Sequence, residues 1–363
     1  MARQYAGYIG EYESLLPQYI KCNYIDWENG DKKPTWNQLR KISRKYNVPT
    51  AFFFMDEPPI VEDYTRKLHN YRNRDANGES PSLLYNIRQA EFKRETYMEL
   101  CEDTNKKLIP FKNFFFSKSS PVDFSKYIRS ILDFDLDSQK ELCNDFNHYS
   151  FLNHWKNILN EKLGILVFES QNVNIHEMRA LCLYHDEAPI ILLNGDDSVD
   201  GRIFSLFHEL THLIIHESAV CDVYLNHETE LFCNVVVYEF LVPSNDFKIE
   251  LSNFSNYLQD NCLNRLSDVY GVSKYIILRR LFDLGKIGQK DYDYKVNELM
   301  NISLKQQSDD ENYINNQIRY NGKPYLEVLF NACDLGVLSK FELSNIINVK
   351  QKVIPELERK ICY

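Results

Sequence analysis

G-R-I-F-S-L-F-H-E-L-T-H-L-I-I-H, residues 201–216, is apolar on nearly every side. Ile203, Phe204, Leu206, Phe207, Leu210, Leu213, Ile214 and Ile215 leave no solvated face, so the stretch predicts a buried helix. Its polar residues, Ser205, His208, Glu209, His212 and His216, recur every three or four positions and form one stripe. A polar stripe inside a core must be satisfied by partners or by an ion. His208, Glu209 and His212 form H-E-x-x-H. Residues i and i+4 stack on one helix face, so both imidazoles can reach one cation, and Glu209 can act as a base on a water beside it. The plainer alternative is a core helix whose histidines find hydrogen-bond partners. Two histidines at this spacing, with a glutamate between them, weigh against it.

A catalytic zinc usually takes three protein ligands, so a third is needed. His216, Glu217, Asp222, His227, Glu228, Glu230 and Glu239 follow within reach. His216 and Glu217 continue the same helix and turn progressively away. H-E-T-E-L-F-C-N-V-V-V-Y-E-F-L-V-P, residues 227–243, predicts a second helix stopped before Pro243. Glu230 and Asn234 lie one turn apart on it, among Leu231, Phe232, Val236 and Val237. A carboxylate in that company is costly unless it is paired or metal-bound. Glu239 is the next candidate.

The run from Arg202 to His216, V-C-D at 220–222 and E-L-F-C-N-V-V-V-Y-E-F-L-V-P at 230–243 resemble the ImmA/IrrE family of bacterial metallo-endopeptidases. The family's pattern is an H-E-x-x-H helix followed by an E-x-x-(A/C)-N segment. The resemblance implies a zincin-like core with His208, His212 and Glu230 as zinc ligands and Glu209 as general base. Val236, Val237 and Tyr238 replace the family's usual Phe-Ala-Ala, a difference of packing rather than chemistry. Arg179–Asn194 is similar to the edge of the family's small sheet, and Leu266–Leu284 to its closing helical segment. Arg202, His216, Tyr224 and His227 are candidate oxyanion donors, and Asp222 and Asn234 candidate partners that orient a ligand histidine.

The chain has 363 residues and a net charge of −10, with no apolar run long enough to cross a membrane. The start, M-A-R-Q-Y-A-G-Y, lacks the order of a signal peptide. Nine scattered cysteines without C-x-x-C suit a reducing cytoplasm, and argue against a disulfide framework or a thiolate zinc site. The acidic balance disfavours loose attachment to nucleic acid.

Outside the motif the pattern predicts further helices and two short strands, G-I-L-V-F-E (164–169) and P-I-I-L-L-N (189–194). Leu83–Lys107 reads as an amphipathic helix with Leu84, Ile87, Ala90, Phe92, Tyr97 and Leu100 inward. Residues 152–163 read as another, and Ser119–Pro121 opens a third. Polar loops are expected at 72–82 and 308–312. Residues 24–49 resemble the later helices of an XRE-type helix-turn-helix, with Gly30 closing the recognition helix and Trp36, Leu39, Ile42 and Tyr46 packing inward. The segment 18–26, which would enter a major groove, offers Lys21 and then the acids Asp26 and Glu28, a poor set for reading bases.

The expected architecture is α+β and mostly helical. A helix-turn-helix-like domain at 1–59 precedes a helical connecting region at 60–149. A zincin-like metallopeptidase domain with a small sheet follows at 150–300, and a C-terminal helical region at 313–363. The expected function is cytoplasmic zinc-dependent endoproteolysis of a specific protein, which family resemblance makes a helix-turn-helix repressor of mobile-element or stress genes. DNA is a doubtful partner and a membrane is not expected. The alternatives are a DNA-binding or antitoxin-like regulator that keeps the zincin fold without turnover, and a metal-dependent hydrolase of something other than protein.

Overall fold

A computed structural model describes residues 1–57, 79–118, 120–145, 148–215, 227–303 and 313–362. The expected loop at 308–312 and most of that at 72–82 lie outside the described residues, as do His216, Glu217, Asp222 and Tyr224.

The first helices are short: α1 (Ala2–Tyr5), α2 (Gln18–Lys21), α3 (Tyr24–Glu28) and α4 (Trp36–Tyr46). They share a small core of Ala6, Leu16, Ile20, Ile42, Tyr46 and Phe52. Gly30, at φ 82°, follows α3 as expected of a residue past a helix end. Leu39, Ile42 and Tyr46 are buried, but Trp36 is 60% exposed, contrary to the sequence expectation. It is the first residue of α4, beyond the reach of the core that covers the later turns.

A long helix, α5 (Pro81–Asp103), comes next, capped by Ser80 and opened by Pro81. Its Ile87, Ala90, Tyr97 and Leu100 are buried as expected, while Phe92 is 45% exposed. After it come α6 (Pro121–Leu132), α7 (Leu136–Asp145) and α8 (His148–Leu163). Ser120 caps α6, and Phe124 and Ile128 are its buried side.

Three strands follow: β1 (Leu166–Ser170), β2 (Ala180–Leu183) and β3 (Ile190–Asn194), in the order β1-β3-β2. β1 runs parallel to β3 and β2 antiparallel to it. Both five-residue strands are buried throughout, which marks a sheet covered on both faces. Alternation sorts the side chains between two cores. Val167, Ala180, Ile191 and Leu193 join the core in front of the sheet. Leu166, Phe168, Leu181, Leu183, Ile190 and Leu192 join a second core behind it.

The front core is built on α8, α9 (Val199–Ile215), α10 (His227–Leu241), α11 (Ser244–Leu251), α12 (Asp260–Tyr270), α13 (Lys274–Asp283) and α14 (Gln289–Ser303). Trp155 of α8 sits at its centre, edge-on to Phe207 of α9 and Phe240 of α10. The back core joins α5 to the helices after residue 312. α5 meets α15 (Tyr313–Asn321), α16 (Lys323–Asp334), α17 (Lys340–Ile346) and α18 (Ile354–Cys362).

Gly322, between α15 and α16, fixes how closely the C-terminal helices approach the sheet. It adopts φ +74°, and a Cβ there would lie 2.8 Å from the Val167 carbonyl oxygen. Gly336 has the same φ, but a Cβ there would meet nothing. Gly336→Ala is expected to cost about 1–2 kcal/mol, the conformational penalty alone. Gly322→Ala is expected to cost on the order of 3 kcal/mol, because a strand carbonyl cannot move aside as a side chain can. Denaturant midpoints of the two variants test this, and equal losses would show that the β1 contact adds nothing.

Candidate metal centre

α9 is as buried as its apolar run requires: His208 and Glu209 are 3% and 4% exposed. The helix packs on β2 and β3, and α10 crosses it while resting on α6. This crossing brings Glu230 over the two histidines. His208 Nε2 and His212 Nε2 are 3.1 Å apart. Glu230 Oε2 is 3.3 Å from His208 Nε2, and Glu230 Oε1 is 3.2 Å from His212 Nε2. Among the described residues, these three are the cluster of His, Cys, Asp or Glu that could hold a metal ion.

The triangle fits a small cation better than it fits hydrogen bonding. Two imidazole nitrogens this close cannot both carry protons toward each other, yet the carboxylate needs a proton from each. One ion at the centre satisfies all three. Ligand atoms placed about 2.0–2.1 Å from a tetrahedral zinc are about 3.3 Å apart, the spacing observed here. Burial alone would raise the Glu230 carboxyl. The proximity of His208 and His212 outweighs it and holds the carboxyl well below the usual carboxylate range.

Glu209 points to the same region. Its Oε2 is buried and meets no hydrogen-bond partner among the described residues. Cys182 on β2 bonds to the Glu209 carboxylate. Burial first, and that negative neighbour second, push its thiol well up. Phe204, one turn before His208, stacks on the His208 ring at 6.3 Å between centroids, and Tyr238 of α10 packs on Phe204 at 5.3 Å. Sequence reasoning missed Cys182, Phe204 and Tyr238 as neighbours of the site. The clue was available for Cys182, which alternates with Ala180 and so shares the sheet's front face with the motif helix.

Other candidates are engaged elsewhere. Glu239, the second choice for third ligand, accepts hydrogen bonds from Arg280 at 2.9 Å and from the Ser244 amide at 3.1 Å. Arg202, considered as an oxyanion donor, is buried against Glu169 of β1 at 2.5 Å and does not serve the histidines. Asn234 is half-buried one turn along from Glu230. His216, Tyr224 and Asp222 lie outside the described residues.

A sheet-backed helix bearing two histidines, crossed by a second helix bearing a carboxylate, is a metal-binding class of site. Residues 160–282 match the family model described as the IrrE N-terminal-like domain, Peptidase_M78. The matched segment runs from the end of α8 into α13 and contains both motif helices. It supports a metallopeptidase of the ImmA/IrrE type. No curated protein and no solved structure matches the chain.

Proposed function

We propose that the chain is a zinc endopeptidase that cuts a specific intracellular protein, a helix-turn-helix repressor being the expected substrate class. The carrying observation is the convergence of His208, His212 and Glu230 within 3.1–3.3 Å, with Glu209 beside them. Two neutral imidazoles and one carboxylate would leave a divalent zinc one net positive charge. Held there, it would supply Lewis acidity, acidifying a water and polarising a peptide carbonyl. Glu209 takes the proton from the attacking water and delivers it to the leaving amine. Cys182 on β2 is a neighbour of that carboxylate. Phe204, packed on by Tyr238, shields the His208 imidazole from bulk water.

The test is a comparison of new protein N-termini in cells carrying wild type or Glu209→Gln. Cuts present only with wild type name the substrate. Identical profiles would refute the reading.

The ligand assignment has its own check. Elemental analysis of the purified protein is expected to give about one zinc per chain for wild type and for Glu239→Ala, and much less for Glu230→Ala. Full zinc in Glu230→Ala would overturn the assignment.

For the N-terminal helices the proposal is protein docking rather than DNA readout. α2 and α3 are single turns of four and five residues. Arg3 is tied to Glu13 and Glu28, and Lys32 to Asp26. No footprint on a defined operator is expected at physiological salt. One that disappears on charge reversal at Arg40, Lys41, Arg44 and Lys45 would show the opposite.

A further inference from the structure

The ring of Phe204 begins a row of partly exposed side chains that leads away from the metal centre. Phe204 of α9 stacks on the His208 ring at 6.3 Å, and Tyr238 of α10 packs on Phe204 at 5.3 Å. The guanidinium of Arg279, on α13, lies 5.9 Å from the Tyr238 ring and 5.9 Å from the Phe282 ring. Phe282 packs on Tyr292 of α14 at 5.2 Å, and Tyr292 meets Tyr275 at 6.4 Å. Four helices thus lay one aromatic strip outward from the His208 imidazole. Phe204, Tyr238 and Tyr292 rest against the front core, but none of the six is buried, and Tyr275 at the far end is 41% exposed. Arg279 is tied to Asp283 at 2.9 Å, so its charge is already answered and its flat face adds to the rings. A run of apolar faces left to water beside a metal centre is a place for a ligand's apolar group.

We propose that this strip is the specificity subsite of the metal centre, taking a large apolar or aromatic side chain of the peptide substrate about three residues from the bond that is cut. The inference rests on the peptidase reading and adds a substrate class to it. An extended peptide rises about 3.3 Å per residue, so about three residues span the two ring contacts, 6.3 and 5.3 Å, that separate Tyr238 from His208. A large side chain at that position would cover Tyr238 and Phe282 together, two rings bridged by Arg279. Ring on ring, or methyl on ring, removes apolar surface from water and keeps the offset and edge contacts that aromatic groups prefer. An acidic side chain gains little from Arg279, whose charge Asp283 answers, and a small one leaves the rings wet. Binding energy collected there holds the scissile bond at the metal without touching the reacting atoms.

The experiment is calorimetric titration of the zinc-loaded full-length protein with hydroxamates, whose head group chelates the metal without being cleaved. Acetohydroxamate reports the head group alone. Two series of peptide hydroxamates, one extended to each side of the head group, carry Ala, Leu, Phe or Asp at the third residue. In one series the Phe and Leu compounds are expected to bind at least about tenfold tighter than the Ala compound, and the Asp compound no tighter than Ala. The gain is read as the Phe-to-Ala ratio within one protein, so a change in head-group affinity cancels. Tyr238→Ala is expected to bring the ratio below about threefold, and Tyr238→Phe, which keeps the ring, to preserve it. Phe282→Ala, made on a different helix, is expected to lower it too, and serves where Tyr238→Ala does not fold. Three outcomes would overturn the subsite and leave the metal centre standing: acetohydroxamate binding with no gain from Leu or Phe in either series, a preference for Asp, or a ratio undiminished in both Tyr238→Ala and Phe282→Ala. No binding of any hydroxamate would overturn the metal reading and the subsite with it.

Discussion

Cleavage by the Glu209→Gln variant is expected to fall about 10²–10⁴-fold, with folding and metal content unchanged. Glutamine has nearly the shape of glutamate, so the packing of α9 between the sheet and α10 has no reason to change. What disappears is a basic oxygen, and Oε2 of Glu209 meets no partner among the described residues that would otherwise occupy it. The loss should be in kcat more than in KM, because the proton transfer belongs to the transition state. The measurement is a rate on the substrate found in cells, alongside a thermal melt and elemental analysis. Equal rates would place the catalyst elsewhere. A lower melting temperature with lost metal would mean that Glu209 supports the site's structure rather than its chemistry.

The second large effect is expected far from the peptide bond. Glu169→Gln should destabilise the protein by about 3–5 kcal/mol at neutral pH, because Lys156, Arg202 and Arg319 then lack the charge that holds them in the core. Burial by itself would raise the Glu169 carboxyl. The three cations outweigh it and bring it to about 2, against an ordinary 4.5. A carboxyl depressed in the folded state stabilises fully above its unfolded value and loses that contribution as pH falls. The gap between wild type and variant should therefore be complete above about pH 4.5 and close progressively toward pH 2. Denaturation midpoints across that range test both size and direction. A gap independent of pH would show that Glu169 acts through shape rather than charge.

What the sequence revealed, and what it hid, follows the range of the interactions. The H-E-x-x-H helix, the Glu230 helix, and β1 and β3 are written in local periodicity, and each is found where its pattern puts it. Glu230 stood out because a carboxylate among Leu231, Phe232 and Val236 needs a partner. The Glu169 cluster was not legible. Its members come from α8, β1, α9 and α15, and only folding brings together residues 150 positions apart. Arg202 was left open between two roles for the same reason. On a helix beside two histidines it could serve the site, but its guanidinium bonds to Glu169 of β1. Trp36 and Phe92 fit inward-facing patterns yet are exposed, since periodicity marks a face without showing how far its cover extends.

The two-faced sheet sets a limit on how this chain can be divided. Residues 160–282 carry the histidines, the carboxylates and the whole sheet, so by sequence likeness they are the unit. By folding they are half of one. Phe168, Leu181, Leu183, Ile190 and Leu192 are covered from behind by helices lying before residue 104 and after residue 312. A fragment cut at the limits of the likeness would bare an apolar sheet face along its entire width and invite aggregation. The family-matched segment and the length of chain that closes both faces of the sheet are therefore different, and helices at 81–103 and 313–362 serve as the missing wall.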